Sequence, residues 1–119
     1  MIEPSYVLLY VDDPLRSAEF YASLLGREPV ERSPTFTMFV LSSKVKLGLW
    51  SKPTVEPSIP TPGTGGELAI WVEERETVDA LYRQWGDKGI PLIQTPTEMD
   101  FGYTFVGQDP DGHRLRVFA

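Results

Sequence analysis

Tyr6-Val7-Leu8-Leu9-Tyr10-Val11, running into Asp12-Asp13-Pro14, and Glu67-Leu68-Ala69-Ile70-Trp71-Val72, running into Glu73-Glu74, open the two halves of this chain in the same way. Each is an apolar strand-like run followed by a helical stretch that ends at a glycine, Gly26 in the first half and Gly89 in the second. Val11 to Tyr21 and Val72 to Tyr82 have the same spacing. Short strand-like segments then complete each half. A repeated strand–helix–strands unit predicts two similar modules packed about a pseudo-two-fold, with the functional cleft where they meet.

Working outward, Tyr6, Leu8 and Tyr10 fall on one face of the first strand and Val7, Leu9 and Val11 on the other. Both faces are largely apolar, which predicts a strand covered on both sides. Asp13 and Pro14 form an N-cap and first-turn pair, Ser17, Phe20, Tyr21 and Leu24 recur at helical spacing, and Gly26 is the stop. Residues 28–31 read as a short edge strand, and 36–41 with 45–50 as a hairpin through Ser42-Ser43-Lys44. Residues 52–66 carry Pro53, Pro57, Pro60 and Pro62, a stiff linker too broken for regular structure. The second helix, from about Arg75 to Lys88, places Val78, Leu81, Tyr82 and Trp85 on one stripe. Strands follow near 91–95, 102–107 and 114–118, the last two joined by Asp109-Pro110-Asp111-Gly112-His113, whose composition marks a turn. The expected organisation is one domain over 1–119, with a first module of about 1–51, a linker of about 52–65 and a second module of about 66–119.

Composition narrows the function. A chain of 119 residues holds one real core. Its 41% hydrophobic and 12% aromatic content is that of a soluble globular protein, without an apolar run able to cross a bilayer. The opening Met1-Ile2-Glu3-Pro4 lacks signal-peptide character. With no cysteine there is no disulfide, thiolate or Cys-ligated metal, which fits a cytoplasmic protein. The net charge of −6 argues against a nucleic-acid partner.

The βαβββ repeat, the Asp-Pro before Ser17…Phe20-Tyr21 and the Asp109-Pro110-Asp111-Gly112-His113 turn resemble the vicinal oxygen chelate superfamily. This group includes glyoxalase I, extradiol dioxygenases and bleomycin-resistance proteins. Leu49-Trp50-Ser51, Phe101-Gly102 with Thr104-Phe105, and Arg116-Val117 after the turn resemble its phenazine-antibiotic resistance branch. The resemblance implies an α+β fold of two βαβββ modules forming a cupped mixed sheet with helices on the outer face. It also implies homodimers, which the aromatic strand edges fit. In family metalloenzymes, ligands come from the first and last strands of each module. Those positions fall here at Tyr6, Gly48 (or Trp50 with a register slip), Glu67 and Arg116, of which Glu67 alone is a plausible ligand. Arginine is permanently cationic and a divalent catalytic site needs about three protein ligands. His113, in the turn, reads as a surface or structural residue.

The reading is therefore a cup with no metal, cofactor or catalytic group, lined by aromatic residues that suit a planar aromatic ligand. Its candidate contacts are Trp50, Trp71, Gly48, Glu67, Arg116, Tyr6, Phe39 and Tyr103, with Gly48 and Ala69 leaving room for the ligand. Phe36 and Met38 are the alternative to Phe39 on the third strand. Arg116 serves either a ligand carboxylate or a structural pair with Glu67. Phe20, Tyr21, Tyr82 and Trp85 are assigned to the core. The leading function is sequestration of a phenazine-like antibiotic or metabolite, as a resistance factor. The alternative is a metal-dependent glyoxalase-type lyase, isomerase or thiol transferase, and a third reading is a regulatory module with a vestigial cup.

Overall fold

The computed structural model of the chain describes residues 2–61, 63 and 65–119, so Met1 and the linker's Pro62 and Thr64 lie outside the described residues. Two compact units, Met1–Gly63 and Thr64–Ala119, divide the chain.

The first unit runs β1 (Tyr6–Val11), α1 (Pro14–Leu25), β2 (Glu31–Arg32), β3 (Phe36–Val40) and β4 (Lys46–Ser51). Its four-stranded mixed sheet has the order β1-β4-β3-β2, with β1 parallel to β4 and the other pairs antiparallel. Helix α1 starts as the residues dictate. Asp13 Oδ1 accepts the Leu15 and Arg16 N–H groups, Pro14 needs no amide partner, and Gly26 closes the helix in the left-handed conformation. Pro14, Ser17, Ala18 and Tyr21 are its buried residues, and Phe20 sits half-buried, edge-on to Tyr21. The helix packs on β3 and β4. The Thr37 hydroxyl, fully buried, donates to the Pro14 carbonyl at 3.1 Å and ties helix to sheet.

The second unit repeats the plan with β5 (Glu67–Trp71), α2 (Arg75–Asp87), β6 (Leu92–Met99), β7 (Gly102–Gln108) and β8 (Arg114–Phe118). Its order β5-β8-β7-β6 and its parallel β5–β8 pair mirror the first unit. Val78 and Trp85 are buried where α2 packs on β6, β7 and β8, with Trp85 and Tyr82 both edge-on to Phe105. The fold is thus α+β, built from two βαβββ modules, as the repeat predicts.

Three expectations change. The linker is not wholly irregular: Lys52–Thr54 form a 3-10 turn, and Val55 after it is buried. Strand β2 is shorter and later than residues 28–31, because Pro29 has no N–H to give a ladder and pairing begins at Glu31 opposite Met38. Strand β1 is not covered on both sides. It is the edge of its sheet, and Tyr6, Leu8 and Tyr10 remain 44%, 42% and 37% exposed.

Candidate functional site

Strand alternation gives each module a helix-facing side and an open side. In the first module the helix-facing side holds Val11, Thr37, Phe39, Leu47 and Leu49, all buried. The open side holds Tyr6, Leu8, Tyr10, Phe36, Met38, Lys46, Gly48 and Trp50. Register pairs Tyr10 and Phe36 with Trp50 from either neighbouring strand. Their rings meet the indole edge-to-face at 6.4 Å on both sides. Trp50 is therefore held between two aromatic neighbours and half-buried. Tyr6 lies at the far end of the strand, its ring 5.1 Å from the Lys46 ammonium.

Two of the expected contacts in this module are corrected. Phe39 is fully buried on the helix side, so the third strand offers Phe36 and Met38 to the open face instead. Gly48 leaves no room for a ligand: a Cβ there would stand 2.6 Å from Leu8 Cδ2 and 2.9 Å from Phe36 Cζ. The space over the glycine is already filled by those two side chains.

In the second module Leu115, Val117 and Phe105 face the helix, all fully buried. The open side holds Glu67, Ala69, Trp71, Gln94, Thr104, Val106, Arg114, Arg116 and Phe118. Arg116 is its centre. Its Nε donates to Glu67 Oε1 at 2.6 Å, one terminal nitrogen reaches Glu67 Oε2 at 3.5 Å, and the other donates to Thr104 Oγ1 at 3.2 Å and Gln94 Oε1 at 3.3 Å. The Thr104 hydroxyl in turn donates to the Val117 carbonyl at 2.8 Å. Arg116 thus serves the structural pair with Glu67, one of the two roles the sequence left open.

Tyr103 is the third correction. It sits on the helix side of β7, where its hydroxyl donates to Asp79 of α2 at 2.6 Å and the Arg75 guanidinium lies 4.1 Å over its ring. The hydrogen bond to Asp79 foremost, then desolvation, holds its phenol above the ordinary tyrosine range. Arg75 in turn pairs with Glu98. Tyr103 latches helix to sheet and turns away from the open face.

Sequence reading also missed a residue. Phe101, 53% exposed, stands edge-on to Phe118 at 6.1 Å, with the Arg116 guanidinium 5.4 Å from its ring centre. Gly102 fixes its position. A side chain on Gly102 would collide with the Ala119 carbonyl oxygen, 2.2 Å from a Cβ, and the φ of 143° suits glycine alone. The Phe101-Gly102 pair was the available signal; periodicity gave none, because Phe101 precedes the strand. Trp71, 66% exposed, closes the β5 end of the same side.

The turn residues confirm a fold role. Asp109 is buried, its carboxylate accepting the Asp111 and His113 N–H groups at 2.9 and 2.8 Å and the His113 ring at 2.7 Å. His113 is therefore engaged in the turn.

These donor sets do not fit a divalent metal. Tyr6 and Gly48 bring no carboxylate or imidazole, and the Glu67 carboxylate is already held by a guanidinium. Among the described residues, no three His, Cys, Asp or Glu side chains gather as a cation site.

Sequence comparison places these modules in a family. The profile of the Glyoxalase/Bleomycin resistance protein/Dioxygenase superfamily matches residues 4–117, and the chain belongs to that superfamily. It is 34% identical over 119 residues to the phenazine antibiotic resistance protein EhpR of Enterobacter agglomerans, covering 98% of this chain and 91% of that protein. Among solved structures, protein ATC0852 from Agrobacterium tumefaciens, determined by solution NMR, is 52% identical with a TM-score of 0.90, covering 100% of this chain and 98% of that one. A glyoxalase/bleomycin resistance protein/dioxygenase family enzyme from Burkholderia phytofirmans PsJN is 27% identical with a TM-score of 0.83, covering 98% of this chain and 97% of that one.

Proposed function

We propose that this protein binds a planar aromatic antibiotic or metabolite of phenazine type and sequesters it without converting it, as a cytoplasmic drug-resistance factor. The observation that carries this reading is the Glu67–Arg116 pair: the one carboxylate among the family's four ligand positions is engaged by a cation that repels metal ions. What the open sides offer instead is π surface, with Trp71, Phe101 and Phe118 on the second module and Trp50 with Tyr10 on the first. Flat conjugated ligands stack on such rings, and polar neighbours orient them. Similarity to a phenazine antibiotic resistance protein supports the ligand class.

The chain acts as a homodimer. Strands β1 and β5 are edges of their sheets, and β1 carries neither the charge nor the proline that keeps an edge from pairing. Sedimentation at micromolar concentration should give twice the mass of one chain.

Tryptophan fluorescence tests the function. Phenazines should quench the wild-type protein saturably, and Trp71→Ala should weaken that binding at least tenfold while leaving the melting curve nearly unchanged. Trp50→Ala should also weaken it, with a lower melting temperature because Tyr10 and Phe36 lose their ring partner. Removing a stacked ring costs about 0.5–1.5 kcal/mol beyond its area. Elemental analysis that finds about one tightly held divalent metal per chain, with no aromatic binding, would instead support the glyoxalase-type enzyme.

A further inference from the structure

A depression of about 260 Å³ opens on the second module, lined by Ile93, Gln94, Val106, Arg114 and Arg116. Its two cations are not equivalent. Arg116 is compensated by Glu67 and commits one terminal nitrogen to Gln94 and Thr104, so four of its five N–H donors are engaged. Arg114 is exposed and, among the described residues, has no recorded ion pair or side-chain hydrogen bond. Glu67 is its register partner across β5, yet the Glu67 carboxylate turns to Arg116. Two guanidiniums and one carboxylate leave this depression one positive charge, on a chain whose net charge is −6.

We infer that Arg114 is the cation of an anion subsite, and that the ligands preferred here are planar aromatic monocarboxylates. This rests on the aromatic-ligand reading above and names its substrate class. A guanidinium binds a carboxylate through two parallel N–H···O bonds, a geometry that a free Arg114 can offer and that Arg116, with four of its five N–H donors engaged, cannot. Ile93 and Val106 give the depression apolar walls, and Gln94, whose carbonyl oxygen accepts from Arg116, keeps its amide nitrogen toward Met99. Arg116 then serves as a positioning residue, holding Glu67 away from Arg114 and so keeping that charge available. The assignment reverses the simplest expectation, in which Arg116 meets the ligand.

Phenazine-1-carboxylate and its neutral isostere phenazine-1-carboxamide separate the possibilities when each is titrated by fluorescence quenching at pH 7 and low salt. Wild-type protein should bind the carboxylate about tenfold more tightly than the carboxamide, a preference that shrinks as salt rises. Arg114→Gln should bring the carboxylate down to the carboxamide's affinity, and Arg114→Lys should restore part of the difference. A preference retained in Arg114→Gln and abolished only in Arg116→Gln overturns the assignment, as does a wild-type protein that binds both probes equally. Wild-type protein that binds neither probe overturns the aromatic-ligand reading itself, and the subsite with it.

Discussion

The two modules share an architecture but not a surface. Both run βαβββ, both pair their first strand in parallel with their last, and both bury one helix against one side of the sheet. On the open side the first module packs its own aromatic residues together, with Leu8 and Phe36 filling the space over Gly48 and Trp50 wedged between Tyr10 and Phe36. The second module sets charges among its rings, so that Phe101 lies between Phe118 and the Arg116 guanidinium, Trp71 stays 66% exposed and Arg114 is unpaired among the described residues. Helix-side positions must fill a close-packed interior and so stay alike, whereas open-side positions are free to diverge. That difference assigns scaffold work to one side of each sheet and leaves the other side to the recognition proposed above.

The largest effects should come from the side on which the modules agree. Phe39→Ala in the first and Trp85→Ala in the second each empty a buried aromatic position and should each cost about 3–5 kcal/mol in denaturant unfolding. A wild-type curve for Phe39→Ala would break the comparison by returning Phe39 to the open side as a ligand contact.

A smaller difference lies in the turns before the last strands. Leu41 to Val45 and Asp109 to His113 close with the same two backbone bonds, the first N–H to the last carbonyl and the fourth N–H back to the first carbonyl. The second turn adds the buried Asp109 carboxylate, which accepts two N–H groups and the His113 ring. Leu41 has nothing comparable. Asp109→Ala should therefore cost about 2–3 kcal/mol, as hydrogen bonds to a charged group do, while Leu41→Ala should cost less.

The latches from helix to sheet should differ in pH response. In the first module the latch is the Thr37 hydroxyl on the Pro14 carbonyl, which does not titrate in the ordinary range. In the second it is the Tyr103 hydroxyl on Asp79, and that bond, then desolvation, raises the Tyr103 pKa. A raised folded-state pKa means that the folded protein holds the proton more tightly. Its stabilisation is complete below the ordinary tyrosine value of about 10 and is lost as pH climbs through the higher folded-state value. Tyr103→Phe should flatten the fall in melting temperature above pH 10. An unchanged slope would show that Tyr103 is not the titrating latch.

The scaffold was legible in the sequence because its signals are local. Asp13-Pro14 and Gly26 bounded the first helix, alternation located the strands, and 114–118 coincided with β8. The candidate site was legible only as far as alternation reaches. Tyr103 and Phe39 were misassigned because a strand pattern does not say which side the helix covers when both sides are apolar. Gly48 was misread because the absence of a side chain looks like space until Leu8 and Phe36 are seen to occupy it. Phe101 escaped because a loop residue has no period. Arg116 and Glu67 were found as a pair, but the engagement of the other Arg116 terminal nitrogen depends on Gln94 and Thr104, brought in from two other strands.

The smallest effect is the most symmetrical test of the repeat. The fourth turn residue is Lys44 in the first module and Gly112 in the second, with φ of 76° and 84°. A side chain in this left-handed region costs about 1–2 kcal/mol in local strain. Glycine, in turn, gives up about 0.4–1 kcal/mol through the freedom it adds to the unfolded chain. Lys44→Gly relieves the strain and should stabilise the protein by up to about 1.6 kcal/mol, the difference of those two terms. Gly112→Ala introduces the strain and should destabilise by a similar amount. Crowding does not intervene at Gly112, because a Cβ there would meet no atom within 4 Å. Two changes of the same sign would show that the turns, despite their shared hydrogen bonds, are not equivalent, and that the repeat stops at the strands.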